Sequence, residues 1–209
     1  ASGIHSLPAV HFTANASPSG GNASYGNMMT IADSAALQWG SGDYLIEVVT
    51  LYDNVPAAAS VSDAATGYGA FYSKQSTGGN PALGVAFLAN TPAGDTTAGT
   101  TAFSSFVQVI QGVSNPTLGF NDGTARLLGT QRTGGTTLTL RVNGAQTTSA
   151  TVAAEDVDAP NVVVSLGATG DASTARLDGD IAELIAVKGT ISAADLASLE
   201  SGLMVKYGL

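Results

Sequence analysis

The chain contains no cysteine, so neither a disulfide framework nor a thiolate metal site is open to it, and its stability rests on core burial. Charge is scarce as well: 11% of its 209 residues are Asp, Glu, Lys or Arg, against 44% hydrophobic, a balance that folds but keeps its surface wet with Thr, Ser, Asn and Gly. Its 7 basic residues form no cluster and its 16 acidic ones set a net charge of −9, so a phosphate backbone meets repulsion and nucleic acid is not expected as a partner. No apolar run approaches the roughly 20 residues that cross a bilayer, and membrane insertion is not expected either. Ala1-Ser2-Gly3 offers neither a basic segment nor an apolar signal core, so a secreted form is expected to have lost its signal before this point. Asn15-Ala16-Ser17 and Asn22-Ala23-Ser24 match the N-glycosylation pattern, which chance produces readily in a chain this rich in Asn and Ser.

What is present is a succession of short β-branched and aromatic runs separated by Gly, Asn, Asp and Pro. That pattern predicts an all-β, antiparallel sandwich, and at this length a single domain spanning 1–209. Strands are expected near 8–13, 28–32, 43–52, 69–75, 82–89, 103–111, 117–121, 125–132, 137–142, 146–152, 161–167 and 176–187, with long loops at 14–27 and 90–101. Tyr44-Leu45-Ile46-Glu47-Val48-Val49-Thr50-Leu51-Tyr52 has too few polar alternations for a surface strand and belongs in the middle of a sheet. Around Asn143-Gly144, a pair that tolerates the positive φ angles of a type I′ turn, alternating residues predict a hairpin. Leu138, Leu140 and Val142 then share a buried face, and Thr139, Arg141 and Asn143 a wet one. A helix is expected only at the end: Ser192 caps it, Asp195 suits its first turn, Leu196, Leu199 and Leu203 form its stripe, and Gly208 stops it.

The order of several segments carries a resemblance. Met29-Thr30-Ile31, then Leu37-Gln38-Trp39 and a Gly42-Asp43 turn, lead into the Tyr44 strand; Phe71-Tyr72-Ser73-Lys74 follows; Leu127-Leu128-Gly129-Thr130-Gln131-Arg132 precedes the Asn143-Gly144 hairpin; Leu177-Asp178-Gly179-Asp180-Ile181-Ala182-Glu183-Leu184 closes. In this order they resemble the bacterial laminin-G-like modules of the concanavalin A-like lectin/glucanase superfamily. The resemblance implies a jelly-roll β-sandwich with a short C-terminal helix. It also implies an extracellular, cell-surface or virion-surface location. Ala125-Arg126 stands where members often carry an aromatic-His pair, so no role of that His transfers. The superfamily's retaining glucanases place a nucleophile and an acid/base about 5 Å apart through a Glu-x-Asp-x-x-Glu pattern, which this chain lacks.

Candidate site residues follow from chemistry. A sugar face is met by exposed rings and its hydroxyls by Asn, Asp or Gln, which selects Tyr52, Tyr68 and Tyr72 with Asp53, Asn54 and Asn80; Tyr68 and Tyr72 are expected as the exposed pair. Trp39, the single tryptophan, is expected in the core. For metal, the resemblance implies that some relatives hold a structural Ca²⁺ with loop carboxylates, and Asp178, Asp180 and Glu183 would contribute to its six to eight oxygens. The alternative stays open that Asp178 and Asp180, flanking Gly179, are turn aspartates needing no ion. Of the two histidines, His11 is read as a strand residue facing solvent or bonded at a sheet edge, not as a general base. No Gly-x-Ser-x-Gly elbow is present. The function these features predict is a non-catalytic, lectin-like binding or adhesion module contacting a glycan or surface protein. The rival is a structural subunit decorating a shell or fibre, such as a phage virion, whose partners are neighbouring subunits; a polysaccharide-degrading enzyme is the weaker third.

Overall fold

The computed structural model describes residues 3–12, 28–52, 68–75, 84–90, 102–107, 111–115, 122–168, 177 and 179–209. The described chain forms two six-stranded antiparallel sheets, a two-stranded ribbon and one α-helix. The ribbon pairs β1 (Gly3–Ile4) with β2 (Leu7–Pro8). Next come β3 (Val10–Phe12), β4 (Met29–Ile31), β5 (Tyr44–Tyr52), β6 (Tyr68–Gln75) and β7 (Gly84–Asn90). They are followed by β8 (Ala102–Val107), β9 (Gln111–Asn115), β10 (Arg126–Thr133), β11 (Thr137–Val142) and β12 (Ala145–Thr151). The last elements are β13 (Val164–Leu166), β14 (Gly179–Lys188) and α1 (Ala193–Tyr207). The first sheet runs β12-β11-β10-β5-β14-β3 and the second β4-β13-β6-β7-β8-β9.

The predicted sandwich and C-terminal helix are therefore what the chain forms. β5 is central as expected, paired with β10 on one side and β14 on the other. Its alternation feeds two cores: Tyr44, Ile46, Val48 and Tyr52 enter the layer between the sheets, while Val49 and Leu51 enter a second cluster under α1. Each aliphatic side chain so buried contributes about 1.5–3 kcal/mol relative to exposure. The Asn143-Gly144 turn has φ of 46° and 78°, the positive pair that a type I′ hairpin demands. Ser192 caps α1, its hydroxyl accepting from the Asp195 amide at 3.1 Å, and Gly208 closes it in the left-handed region at φ 66°.

Three expectations need correction. The single strand expected at 103–111 is two, β8 and β9, paired antiparallel. The outer face of β11 is not uniformly wet: Thr139 is buried and Arg141 is mostly covered by the helix, which lies over it. The ribbon β1–β2 was not expected, and it seats Ile4 against Val49, Leu127, Leu203 and Tyr207. The strand expected at 117–121 lies outside the described residues.

At one end, two buried cations fasten the segment 152–163. Lys74 gives its three N–H donors to Asp33 at 2.7 Å, the Ala159 carbonyl at 2.9 Å and the Val162 carbonyl at 2.8 Å. Arg132 bonds the carbonyls of Gly42 at 2.7 Å, Gly40 at 2.6 Å and Glu155 at 3.3 Å, and stacks on the Tyr44 ring at 5.1 Å. The two sheets approach closely at Gly167, where φ is 85° and any Cβ would overlap the Phe12 ring.

Candidate functional site

The aromatic residues selected from the sequence divide. Tyr52 is 2% exposed and Tyr72 1%, so neither offers a ring face to a ligand, which corrects the expectation for both. The Tyr72 hydroxyl accepts from Trp39 Nε1 at 3.1 Å, and burial holds its pKa well above the ordinary phenol value. Trp39 lies in the core as expected, its ring centroid 5.6 Å from Tyr44 and 6.2 Å from Tyr72. The physical reason for Tyr72 is a bulge between Ala70 and Tyr72, which puts Phe71 and Tyr72 both into the inter-sheet core. Tyr68 is paired through its backbone with Asn90 at the far end of β6. Asp53, Asn54 and Asn80 lie outside the described residues.

The acidic residues do not converge either. Asp180 is a strand residue of β14 and not a turn aspartate; it pairs across to Leu51 and His11, and its Oδ1 lies 2.9 Å from His11 Nδ1. His11 is thus bonded at a sheet edge, with a side chain 42% exposed. Glu183 instead accepts from Lys206 of α1 at 2.8 Å. Asp178 lies outside the described residues, and among the described residues no group of three His, Asp or Glu is placed to hold a metal. Asp180 and Glu183, turned to His11 and Lys206 respectively, do not form a calcium cradle by themselves.

Two features were missed in the sequence. The first is on the face of the second sheet turned away from the core. Ser73 of β6 and Ser165 of β13 are direct cross-strand partners, both fully buried, and neither hydroxyl has a hydrogen-bond partner within the protein. On the same face Ala70, Ala86 and Leu88 form a small separate cluster, so the floor is made of short side chains carrying two unmatched hydroxyls. A buried hydroxyl left without a partner costs about 1–3 kcal/mol, so the pair is a local cost to stability, closed off from any ligand in solvent.

The second feature is a cleft of about 250 Å³ at the open edge between β3 and β4, lined by Val10, Phe12, Met29, Ile31, Leu166 and Ile181, with Glu183 as its charged neighbour. Three of its walls are unusually open for large apolar side chains: Val10 43%, Met29 47% and Ile31 45% exposed. A bulge in β14 at Ala182 adjoins it.

No family model matches the chain, and no curated protein matches it. Solved structures do. A heptameric SAP-like pentraxin from Limulus polyphemus superposes with a TM-score of 0.55 at 9% identity, over 83% of this chain and 80% of that one. The CBM40 of the Ruminococcus gnavus IT-sialidase gives 0.54 at 13% identity, over 83% and 98%. Domain 4 of AbnA, a GH43 extracellular arabinanase from Geobacillus stearothermophilus solved with arabinotriose, gives 0.53 at 12% identity, over 92% and 88%. Several other similar structures are longer chains, of which this one spans between 26% and 47%. The likeness is one of fold. It is that of an antiparallel β-sandwich, and among the described residues no helix is long and apolar enough to cross a membrane.

Proposed function

We propose that this chain is a non-catalytic glycan-binding module of the laminin-G-like type, acting outside the cell or on a cell or particle surface. What supports the reading is the fold: the CBM40 of the Ruminococcus gnavus IT-sialidase, which superposes over 98% of its own length, has been solved bound to α2,3 sialyllactose. Tyr68, two residues from Ala70 on the same strand, is the ring proposed to meet the sugar face, with Asn80 and the Asp53-Asn54 pair as further hydroxyl partners.

The test is a glycan-array screen of the wild type, Tyr68→Ala and Asn80→Ala, run with and without calcium. Binding to a defined glycan that the alanine variants lose, at unchanged melting temperature, supports the reading. A wild type that binds nothing, or variants that bind as well as it does, overturns it. Loss of binding on chelation, reproduced by Asp178→Asn, would support a Ca²⁺ held with the help of Asp178.

A second reading is favoured by the apolar edge at Val10, Met29 and Ile31: a structural subunit of a shell or fibre, with β4 and its cleft meeting a neighbouring subunit. Light scattering separates the two, because a concentration-independent monomer with an active array result removes the subunit reading.

A further inference from the structure

Helix α1 is held on the outer face of the first sheet by Leu203 and Tyr207 against Ile4, Val49 and Leu127, yet charge is buried beneath it. Glu47 of β5 is the cross-strand partner of Gly129 of β10, and Gly129 is the partner of Arg141 of β11, so the three form one row. Gly129 leaves open the space that the Glu47 carboxylate fills; a Cβ there would overlap it. Glu200 descends from the helix, 2% exposed, and takes the Arg141 fork, Nε at 2.5 Å and Nη2 at 2.8 Å, while the same Nη2 also bonds the Gly144 carbonyl at 2.9 Å. Glu47 is 1% exposed, and neither of its oxygens has a donor. Of the two buried carboxylates, therefore, only Glu200 is bonded to the guanidinium.

As two carboxylates, Glu47 and Glu200 are both acceptors and repel; with one proton, Glu47 becomes a donor to Glu200. We propose that Glu47 is a proton-operated latch for the C-terminal helix: protonated, it bonds Glu200 and seats α1 on the sheet; ionised, it places a second buried negative charge against that of Glu200 and loosens the helix. The charged groups on the elements packed around it are Arg126 and Arg132 on β10, Asp180, Glu183 and Lys188 on β14, and Asp195 and Lys206 on α1. Of these and the row itself, only Glu200 and Arg141 act on Glu47. Arg126 is engaged with Asp122, Arg132 with the carbonyls of 40, 42 and 155, Asp180 with His11, and Glu183 with Lys206.

Burial first, and then the Glu200 charge, raise the Glu47 pKa from 4.5 to about 8. With the helix lifted, Glu47 meets water and returns to its ordinary value. Between those two values the seated form keeps a proton that the lifted form has released, so the latch is tightest in acid and slackens as pH rises toward 8. The opening equilibrium of the helix grows roughly tenfold per pH unit across that window and then levels.

The experiment is native-state amide exchange from pH 5 to pH 9, corrected for the intrinsic pH dependence of exchange, on the wild type and Glu47→Gln. The expected result is that α1 amides lose protection roughly tenfold per pH unit up to about pH 8 in the wild type, that β10 and β11 amides lose less, and that Glu47→Gln removes the slope. Equal slopes in the two proteins, or equal losses in helix and sheet, overturn the latch. If the variant does not fold, the carboxyl carbon of Glu47 in the wild type decides by NMR titration together with the wild-type exchange. A midpoint above pH 7 accompanied by selective loss at α1 supports the proposal, and a midpoint at or below pH 7 or no selective loss overturns it.

Discussion

The molecule buries charge in two ways. At the end that holds 152–163, Lys74 and Arg132 are as inaccessible as any leucine, and every donor group of each meets an oxygen. Under the helix, Glu47 is equally inaccessible and meets no donor at all. The difference follows from what a backbone has to offer. Loop residues present free carbonyls in abundance, so a buried cation is readily satisfied; a carboxylate needs N–H groups, and in a central strand such as β5 the ladders on both sides already take them. The first arrangement is a fixed clamp, and the second depends on a proton.

The strongest way to break the comparison is to remove a clamp. Lys74→Met leaves the Ala159 and Val162 carbonyls without their donor and is expected to lower unfolding free energy in urea titrations by about 1–3 kcal/mol for each carbonyl left unpaired. Asp33, whose pKa the Lys74 hydrogen bond holds below the ordinary value, is expected to move back toward that value in the same variant, measurable by NMR.

The pH profile sharpens the contrast next. The folded chain holds the Glu47 proton to about pH 8 and the unfolded chain only to about 4.5, so this group's contribution is full in acid, falls as pH climbs between those values, and is flat above them. Unfolding free energies from urea titrations are expected to decline across that range by up to about 1.4 kcal/mol per pH unit, and to decline less in Glu47→Gln, which should be the more stable protein at pH 8. A profile that is the same in both proteins would erase the distinction drawn above.

Smaller effects come from groups that are neither clamped nor proton-dependent. Breaking the Asp122 to Arg126 ion pair with Asp122→Asn is expected to cost about 0.2–1 kcal/mol, less in high salt, although the pair holds the Asp122 pKa down at about 2. Ser73→Ala removes a hydroxyl that has no partner in the protein, so its effect on melting is expected within about 0.5 kcal/mol of zero, on the favourable side.

Those elements whose signals are local were legible in the sequence. The Asn143-Gly144 turn, the Ser192 cap and the unbroken run of β5 each declare themselves within a dozen residues, and each stands where it was expected. β8 and β9 were fused because Val107-Gln108-Val109-Ile110-Gln111 offers no turn residue to part them. The site was harder for a related reason. Tyr68 and Tyr72 stand four apart and would share a face of a regular strand, but the bulge between Ala70 and Tyr72 resets the alternation and sends Tyr72 inward. Glu47 read simply as one polar residue in an apolar strand. Its burial depends on Gly129, Arg141 and Glu200, three positions that only the folded chain brings together. The serine pair is likewise joined by a register that no short window displays.

The placement of β5 has a consequence for how the protein is made. One of its neighbours, β10, begins at Arg126, and the other, β14, only at Gly179, so the Thr50 hydroxyl finds its Asp180 carbonyl 130 residues later in the chain. During synthesis this apolar strand emerges well ahead of β14 and stays unpaired on that side until Gly179 and the residues after it follow, a wide separation of the kind that slows folding. A nascent chain arrested before residue 179 therefore carries an open, sticky strand edge, and β14 is the piece that closes it.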